Sequence, residues 1–376
     1  MEHYLDNSAT TKVCPEAVRA ACEAMTELYG NPSSTHTKGR EAKKLLDQSR
    51  KTVSAALGCM PGELVFTSCG SESDNWAILS GAEAMKRKGK HVISSLVEHD
   101  AVRKSLDALE AAGFELTRLK PDGTGAVPPE AVLNALRDDT VLVSLMMVNN
   151  ETGAVTDIRT VARLLKEAHS QALLHTDAVQ AFLKIPFQAK TLGADLITVS
   201  GHKIHAPKGI GALYIRSGLR LKPLISGGSQ EDGRRAGTEA MPQIAAFAAA
   251  CAAAVAGQED NLQRMRKLKA LAADRLSEAI PELRIIQTDA PHILSISMPG
   301  WRSEVLMNLL EAREVYVSKS SACKKGGRSH VLEAMGLKSD VIDGALRIGI
   351  SRFTTEEDIE ALVSGLREAR DTLAHR

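Results

Sequence analysis

Val199-Ser200-Gly201-His202-Lys203 lies between two apolar runs, Asp195-Leu196-Ile197-Thr198-Val199 and Ala212-Leu213-Tyr214-Ile215. Runs of this length, bounded by turn residues such as Pro207-Lys208-Gly209, read as buried strands. A lysine at the end of a buried strand, beside small residues and a histidine, loses its proton more easily and can act as an amine nucleophile. Otherwise Lys203 is a loop lysine in solvent. Two other stretches bear on the choice. Asp177, in His175-Thr176-Asp177-Ala178-Val179-Gln180, also follows an apolar run, and Ser68-Cys69-Gly70-Ser71-Glu72-Ser73 joins a strand to a helix. Free N–H groups at such a helix start, with the Ser71 hydroxyl, suit a phosphate or serve as a simple cap. A lysine for a Schiff base, an aspartate for a pyridinium nitrogen and a helix start for a phosphate are the protein groups that pyridoxal phosphate requires.

Outward from this centre, strands and helices alternate. Strand-like runs fall at 63–67, 91–95, 114–119, 141–148, 172–177 and onward, with helical patterns between them at 72–88, 102–112 and 158–168. The run Val141 to Val148 is apolar throughout, as in a strand buried on both faces. This rhythm predicts an α/β fold with a mainly parallel sheet between helices. Upstream, Pro15 opens a helix, and a second helix carries apolar residues at helical spacing from Ala42 to Leu57 before Gly58. A long helix is expected over 242–280. Beyond it come strands near 283–287, 292–298 and 346–351, with helices near 303–313 and 355–373. The division is placed near Gly257: a large unit over 15–256, and a smaller α+β unit made of 1–14 and 257–376.

The chain's 376 residues carry a net charge of +1, which offers no case for a nucleic-acid or lipid surface. No apolar signal segment opens it, and the longest apolar stretch, Ile244 to Ala256, is short for a membrane span. Its six cysteines form neither CxxC pairs nor zinc-site spacings, which suggests reduced thiols and a cytoplasmic location.

Several further residues have chemistry to offer. His99, in Val97-Glu98-His99-Asp100, either stacks on an aromatic ring or caps a helix. Asn150 follows the 141–148 strand at its carboxyl end, where α/β proteins place ligands, or is a turn asparagine. Arg347 and Arg352 belong to the last strand, where one guanidinium suits a substrate carboxylate. Cys323 sits in Ser320-Ser321-Ala322-Cys323-Lys324-Lys325-Gly326-Gly327-Arg328, a loop composition rather than an apolar run. Lys319, Lys324, Lys325 and Arg328 around it favour a thiolate.

Taken together, these motifs resemble the cysteine desulfurases of the class V aminotransferase group, within the fold-type I pyridoxal phosphate enzymes. The resemblance runs from Tyr4-Leu5-Asp6-Asn7-Ser8-Ala9-Thr10-Thr11 to Arg352-Phe353-Thr354-Thr355. It rests on Gly30-Asn31-Pro32-Ser33-Ser34, Glu72-Ser73-Asp74-Asn75, Val148-Asn149-Asn150-Glu151, Ser200-Gly201-His202-Lys203, Arg235-Ala236-Gly237-Thr238 and Ser321-Ala322-Cys323. The Ser-Gly-His-Lys form with a long cysteine loop is similar to the group I branch. The resemblance implies a large domain with a seven-stranded, mainly parallel sheet, and a smaller α+β domain carrying the cysteine loop.

It further implies that Lys203 holds the cofactor and shuttles a proton, that Asp177 keeps the pyridine nitrogen protonated, and that His99 stacks on the ring and takes part in acid–base chemistry. Gln180 would touch the ring's phenolic oxygen. Gly70, Ser71, Ser200, Gly201 and His202 would bind the phosphate, with Thr238 of a homodimer partner. Asn31, Asn150 and Arg347 would hold L-cysteine, with Asn150 also near the cofactor. Cys323 would take the sulfur as a persulfide, leaving alanine, and pass it to an iron–sulfur scaffold or thiolation protein. No resident metal is implied, although Cys323 is a candidate transient iron–sulfur ligand. Two departures stand out: Cys69 occupies the usual glycine position before the phosphate pair, and Lys319 and Ser320 replace small residues. A selenocysteine lyase or class V aminotransferase is the nearest alternative. A sulfur-carrier or assembly component with little turnover is the alternative of another class.

Overall fold

The structure is a computed structural model and describes residues 2–286, 289–320 and 327–374. In chain order the first half runs β1 (His3–Tyr4), α1 (Pro15–Thr26), α2 (Thr37–Leu57), β2 (Leu64–Thr67), α3 (Gly70–Met85), β3 (His91–Ser95), α4 (Asp100–Ala111) and β4 (Glu115–Leu119). It continues with α5 (Pro129–Ala135), β5 (Thr140–Met146), α6 (Ile158–Glu167), β6 (Leu173–Asp177), α7 (Ala189–Leu192), β7 (Leu196–Ser200) and β8 (Gly211–Ile215). The rest comprises α8 (Met241–Ala256), α9 (Gln258–Ala279), β9 (Arg284–Ile286), β10 (Ile293–Ser297), α10 (Ser303–Glu311) and β11 (Val315–Tyr316). Then come β12 (Ser318–Lys319), α11 (His330–Ala334), α12 (Ser339–Asp343), β13 (Ala345–Gly349) and α13 (Glu356–Thr372).

Seven strands form the large sheet in the order β2-β8-β7-β6-β5-β3-β4. β8 pairs antiparallel with both β2 and β7, whereas β7, β6, β5, β3 and β4 run parallel to one another. The carboxyl ends of β3, β5, β6 and β7 therefore open onto one edge of the sheet. Strands β2, β3, β5, β6, β7 and β8 are buried along their whole length, which is why they read as continuous apolar or small-residue runs. Helices cover both faces. One core joins Leu46, Val53, Ile93, Val143, Ile197 and Phe247, and another joins Ile78, Val102, Leu106, Val92 and Leu142. Each such side chain taken fully from water contributes roughly 1.5–3 kcal/mol.

A separate core joins Leu262, Leu268, Leu276, Leu294, Leu346 and Ile359 around the four-stranded antiparallel sheet β12-β13-β10-β9. Leu5 belongs to it, because β1 pairs parallel with β11. The long helix expected over 242–280 is two helices, bent by 76° at Gly257. α8 buries Ile244, Phe247 and Cys251 in the first core, while α9 buries Leu262, Met265 and Leu276 in the second. One straight helix cannot serve both, and glycine is a poor helix former at the joint. Among the described residues, no single helix is long and apolar enough to cross a membrane.

Candidate active site

A cavity of about 340 Å³ lies at the carboxyl edge of the large sheet. Its size falls within the range of small-molecule sites. Lys203 enters it from the short 3₁₀ turn Gly201–Lys203 that follows β7. The lysine Nζ donates to the main-chain oxygens of Ser8 and Ala9, both at 2.7 Å. That segment is pinned by Thr11, whose hydroxyl donates to His202 O at 2.9 Å and accepts from His205 N–H at 2.8 Å.

Asp177 ends β6 and faces the same cavity, with Oδ1 accepting from Val179 N–H at 2.9 Å. Burial raises its carboxyl above the usual range, against the pull of His99, the Val179 N–H and Lys203. Asp74, from α3, lines the cavity too and is pushed well up, first by burial and then by Asp177. Each carboxyl thus opposes ionisation of the other, on top of the cost of burial. Beneath them His175 is fully buried between Ser144 Oγ at 2.9 Å and Thr198 Oγ1 at 3.1 Å, and burial lowers its pKa to about 3. His175 is therefore a neutral strut, donating through one ring nitrogen and accepting through the other.

His99 caps α4, Nδ1 accepting from Ala101 N–H at 3.1 Å, and it also lines the cavity. Gln180 also lines it, donating from Nε2 to Ser8 O at 2.9 Å. Behind Gln180 lies Lys184, whose Nζ is 3.4 Å from Gln180 Oε1. Burial holds the Lys184 amine well below its usual value, with Lys203 and Arg347 adding to the effect.

At one end of the cavity, Gly70 and Ser71 begin α3, whose leading N–H groups have no acceptor within the helix. Ser200 Oγ is buried beside them without a partner among the described residues. His202 completes this end. Burial and the Lys203 charge lower its pKa to about 3, and Nδ1 lies 3.2 Å from Thr10 Oγ1. At the other end, Arg347 is 2 % exposed and donates to Asn150 O and Ser318 Oγ, each at 2.8 Å, and to Asp6 Oδ1 at 3.2 Å. Its Nε has no partner among the described residues. Arg352 is the other kind of arginine, with its guanidinium 5.0 Å over the Phe353 ring.

Not every expected residue gathers here. Gly201 is a packing glycine: its N–H donates to Ile210 O at 3.0 Å, and a Cβ on it would meet Ile210 Cγ2 at 2.8 Å. Asn31 and Thr238 are exposed and do not line this chain's cavity. Cys323, with Lys324 and Lys325, lies outside the described residues. The other two cations of its loop are engaged elsewhere, Lys319 with Glu304 at 3.1 Å and Arg328 with Asp343 at 2.8 Å. Cys69 is partly exposed at the cavity wall. Ser8, Ala9, Asp74 and Lys184 had no role read from sequence. The motifs Asp6–Thr11 and Glu72–Asn75 contained the first three, and nothing in the sequence pointed to Lys184.

The family described as aminotransferase class-V matches residues 3–362. A cysteine desulfurase IscS of Methanosarcina thermophila is 41% identical over 373 residues, covering 97% of this chain and 91% of the relative. A cysteine desulfurase of Trichormus azollae is 40% identical over 375 residues, covering 98% and 93%. The solved structure of a NifS-like protein superposes with a TM-score of 0.94 at 36% identity, covering 99% of this chain and all of that one. With the strand-end lysine and aspartate on one cavity and these likenesses over nearly its full length, the chain belongs to the aminotransferase class-V family.

Proposed function

We propose that this chain is a pyridoxal-phosphate-dependent cysteine desulfurase, converting L-cysteine to L-alanine with transfer of sulfur to Cys323. The observation that carries the reading is the convergence of Lys203, Asp177 and the start of α3 on one cavity. The residues present fit the cofactor. Ser200 Oγ is a buried hydroxyl lacking a partner at the phosphate end, and a Cβ at Gly70 would come within 2.9 Å of Val179 Cγ2. Lys203 supplies the amine, Asp177 the carboxyl for the ring nitrogen, His99 the stacking face and Gln180 the contact with the ring oxygen. Gly70, Ser71, Ser200 and His202 take the phosphate.

When bound, pyridoxal phosphate supplies an electron sink for charge developing on the substrate's α-carbon. The chain's own groups do the rest. Lys203 holds and returns a proton through Nζ, and the carbonyl oxygens of Ser8 and Ala9 aim that atom. Asp177 would hold a bound ring nitrogen protonated, with the Asp74 carboxyl, raised by burial and by Asp177, lining the same cavity. Arg347, whose Nε has no partner among the described residues, would take the substrate carboxylate together with Asn150, which also lines the cavity. The Cys323 thiolate attacks the substrate sulfur, forming an S–S bond as the Cβ–S bond breaks with its electron pair kept by carbon. That carbon takes a proton to give alanine. It is reduced as the two sulfurs are oxidised, so no outside redox partner is required.

Thr238 and Asn31, exposed on this chain, fit a homodimer in which each subunit completes its partner's site. The sulfur then passes to an acceptor, an iron–sulfur scaffold or a thiolation protein, in a cytoplasmic setting. The division at Gly257, with residues 1–14 joining the second unit, suits a cofactor-holding part and a part that carries Arg347 and Cys323. Anaerobic incubation with L-cysteine, assaying alanine and sulfide together, is the test. Equal yields of both support the reading. Turnover of selenocysteine alone, or transamination without sulfide, would replace it.

A further inference from the structure

Two consecutive residues just past the Cys323 segment are tied to the two turns that line the cavity. Ser329 is six positions from Cys323 along the chain, a span of at most about 20 Å when extended. It is buried, and its hydroxyl donates to Glu151 Oε2 while accepting from Leu332 N–H at 3.1 Å as the cap of α11. His330 Nε2 lies 3.1 Å from Glu98 O, in the turn that leads into His99. Glu151 is only 5 % exposed, and it follows Asn150, which lines the cavity. Its own N–H donates to Asn149 Oδ1 at 2.9 Å, and Asn149 Nδ2 donates to Val97 O at 3.0 Å. These bonds fasten the turn, and Arg347 holds it as well through Asn150 O.

A carboxylate is costly to bury unless it has a task or a partner. Burial raises the Glu151 carboxyl to about 7, opposed by Ser329 and Arg347, with Asp100 raising and Arg103 lowering it more weakly. None of the roles assigned above uses this group. We propose that Glu151 is a positioning residue for sulfur transfer, its carboxylate fixing Ser329, six positions along the chain from Cys323, beside the turn that carries Asn150. The inference rests on the desulfurase reading.

The test uses holoenzyme carrying Glu151→Ala, Ser329→Ala, both together, Glu151→Gln or Ser329→Thr. Bound cofactor is followed by its absorbance and the response to L-cysteine, and the persulfide on Cys323 by mass after one turnover. Glu151→Ala and Ser329→Ala should each slow persulfide formation about tenfold, the effect of losing one hydrogen bond to a charged group. The double variant should be no slower than Ser329→Ala, because both single changes remove the Glu151–Ser329 bond and only Ser329→Ala also removes the α11 cap. Glu151→Gln and Ser329→Thr, which keep an acceptor and a donor, should recover most of the rate. Cofactor affinity and the absorbance response should stay at wild-type values throughout. Wild-type persulfide formation in Ser329→Ala, additive losses in the double variant, or losses that track cofactor binding and melting temperature would overturn the proposal. A wild-type enzyme that yields no alanine from L-cysteine would overturn the desulfurase reading itself and this inference with it.

Discussion

Lys203 and Gln180 share one acceptor, the Ser8 carbonyl oxygen, which takes Nζ at 2.7 Å and Nε2 at 2.9 Å. A main-chain oxygen is thus the common reference for the amine and for the amide expected at the ring oxygen. That oxygen is only as well placed as its segment, and Thr11 secures the segment to His202 and His205. Thr11→Val keeps the shape and removes both hydroxyl bonds. We expect a loss of about 1–3 kcal/mol in unfolding free energy by urea titration. Cofactor affinity should fall alongside it. Unchanged affinity would mean that the Ser8–Ala9 carbonyls do not depend on this anchor.

The lysine assignment has a direct readout. Borohydride reduction of the holoenzyme followed by peptide mapping should place the label on Lys203. Lys184 is the informative competitor, because burial holds its amine well below its usual pKa. Label on Lys184 or Lys208 would move the site. Lys203→Ala should abolish turnover while leaving the fold's melting temperature within a few degrees.

Glu98 offers a pH test. Its carboxyl is fully buried and raised from 4.5 to about 8, by burial and despite bonds from Ser95 Oγ and Met146 N–H. A group raised on folding contributes stability in full below its unfolded pKa and loses it as pH rises through its folded pKa. Wild type should therefore lose stability relative to Glu98→Gln between 4.5 and about 8, by on the order of a few kcal/mol. Denaturant melts across that interval check the slope. A constant difference between the two proteins would mean that Glu98 is ionised throughout.

For the Cys323 loop, the pairing of Lys319 with Glu304 and of Arg328 with Asp343 divides the four nearby cations. Lys324→Ala with Lys325→Ala should shift the alkylation profile of Cys323 to higher pH by less than about one unit, and least at high salt. Lys319→Ala with Arg328→Ala should shift it less. Cys323→Ser should retain the cofactor and its response to L-cysteine yet form no persulfide. Sulfide release at the wild-type rate from Cys323→Ser would turn attention to Cys69, the thiol at the cavity wall.

Side chains at strand ends were legible in the sequence, because a buried strand followed by a turn fixes where the next residue points. Lys203, Asp177 and Asn150 fall in this class. So do Gly70 and Ser71, at the junction of β2 and α3. What the sequence hid was of three kinds. Main-chain acceptors such as Ser8 O and Ala9 O carry no residue signature. Asp74 was invisible because helix position alone does not reveal whether a carboxylate faces solvent or a second carboxyl. The bend at Gly257 was concealed by good helix formers on both sides, since only two separate cores demand it. Gly201, expected among the cofactor-binding residues, is packed against Ile210 and does not line the cavity.

The first strand has a consequence for the order in which the protein is completed. His3 pairs with Val315 and bonds to Asp358, 355 positions away, and Asp6 meets Arg347 and Ser318. At about 5–20 residues per second, ribosomal synthesis separates these partners by tens of seconds. Residues 10 and 11, by contrast, find His202 midway through the chain. The end of the cavity built on the large sheet can therefore take shape while synthesis continues. The end that holds Arg347 closes only after residue 347 has emerged.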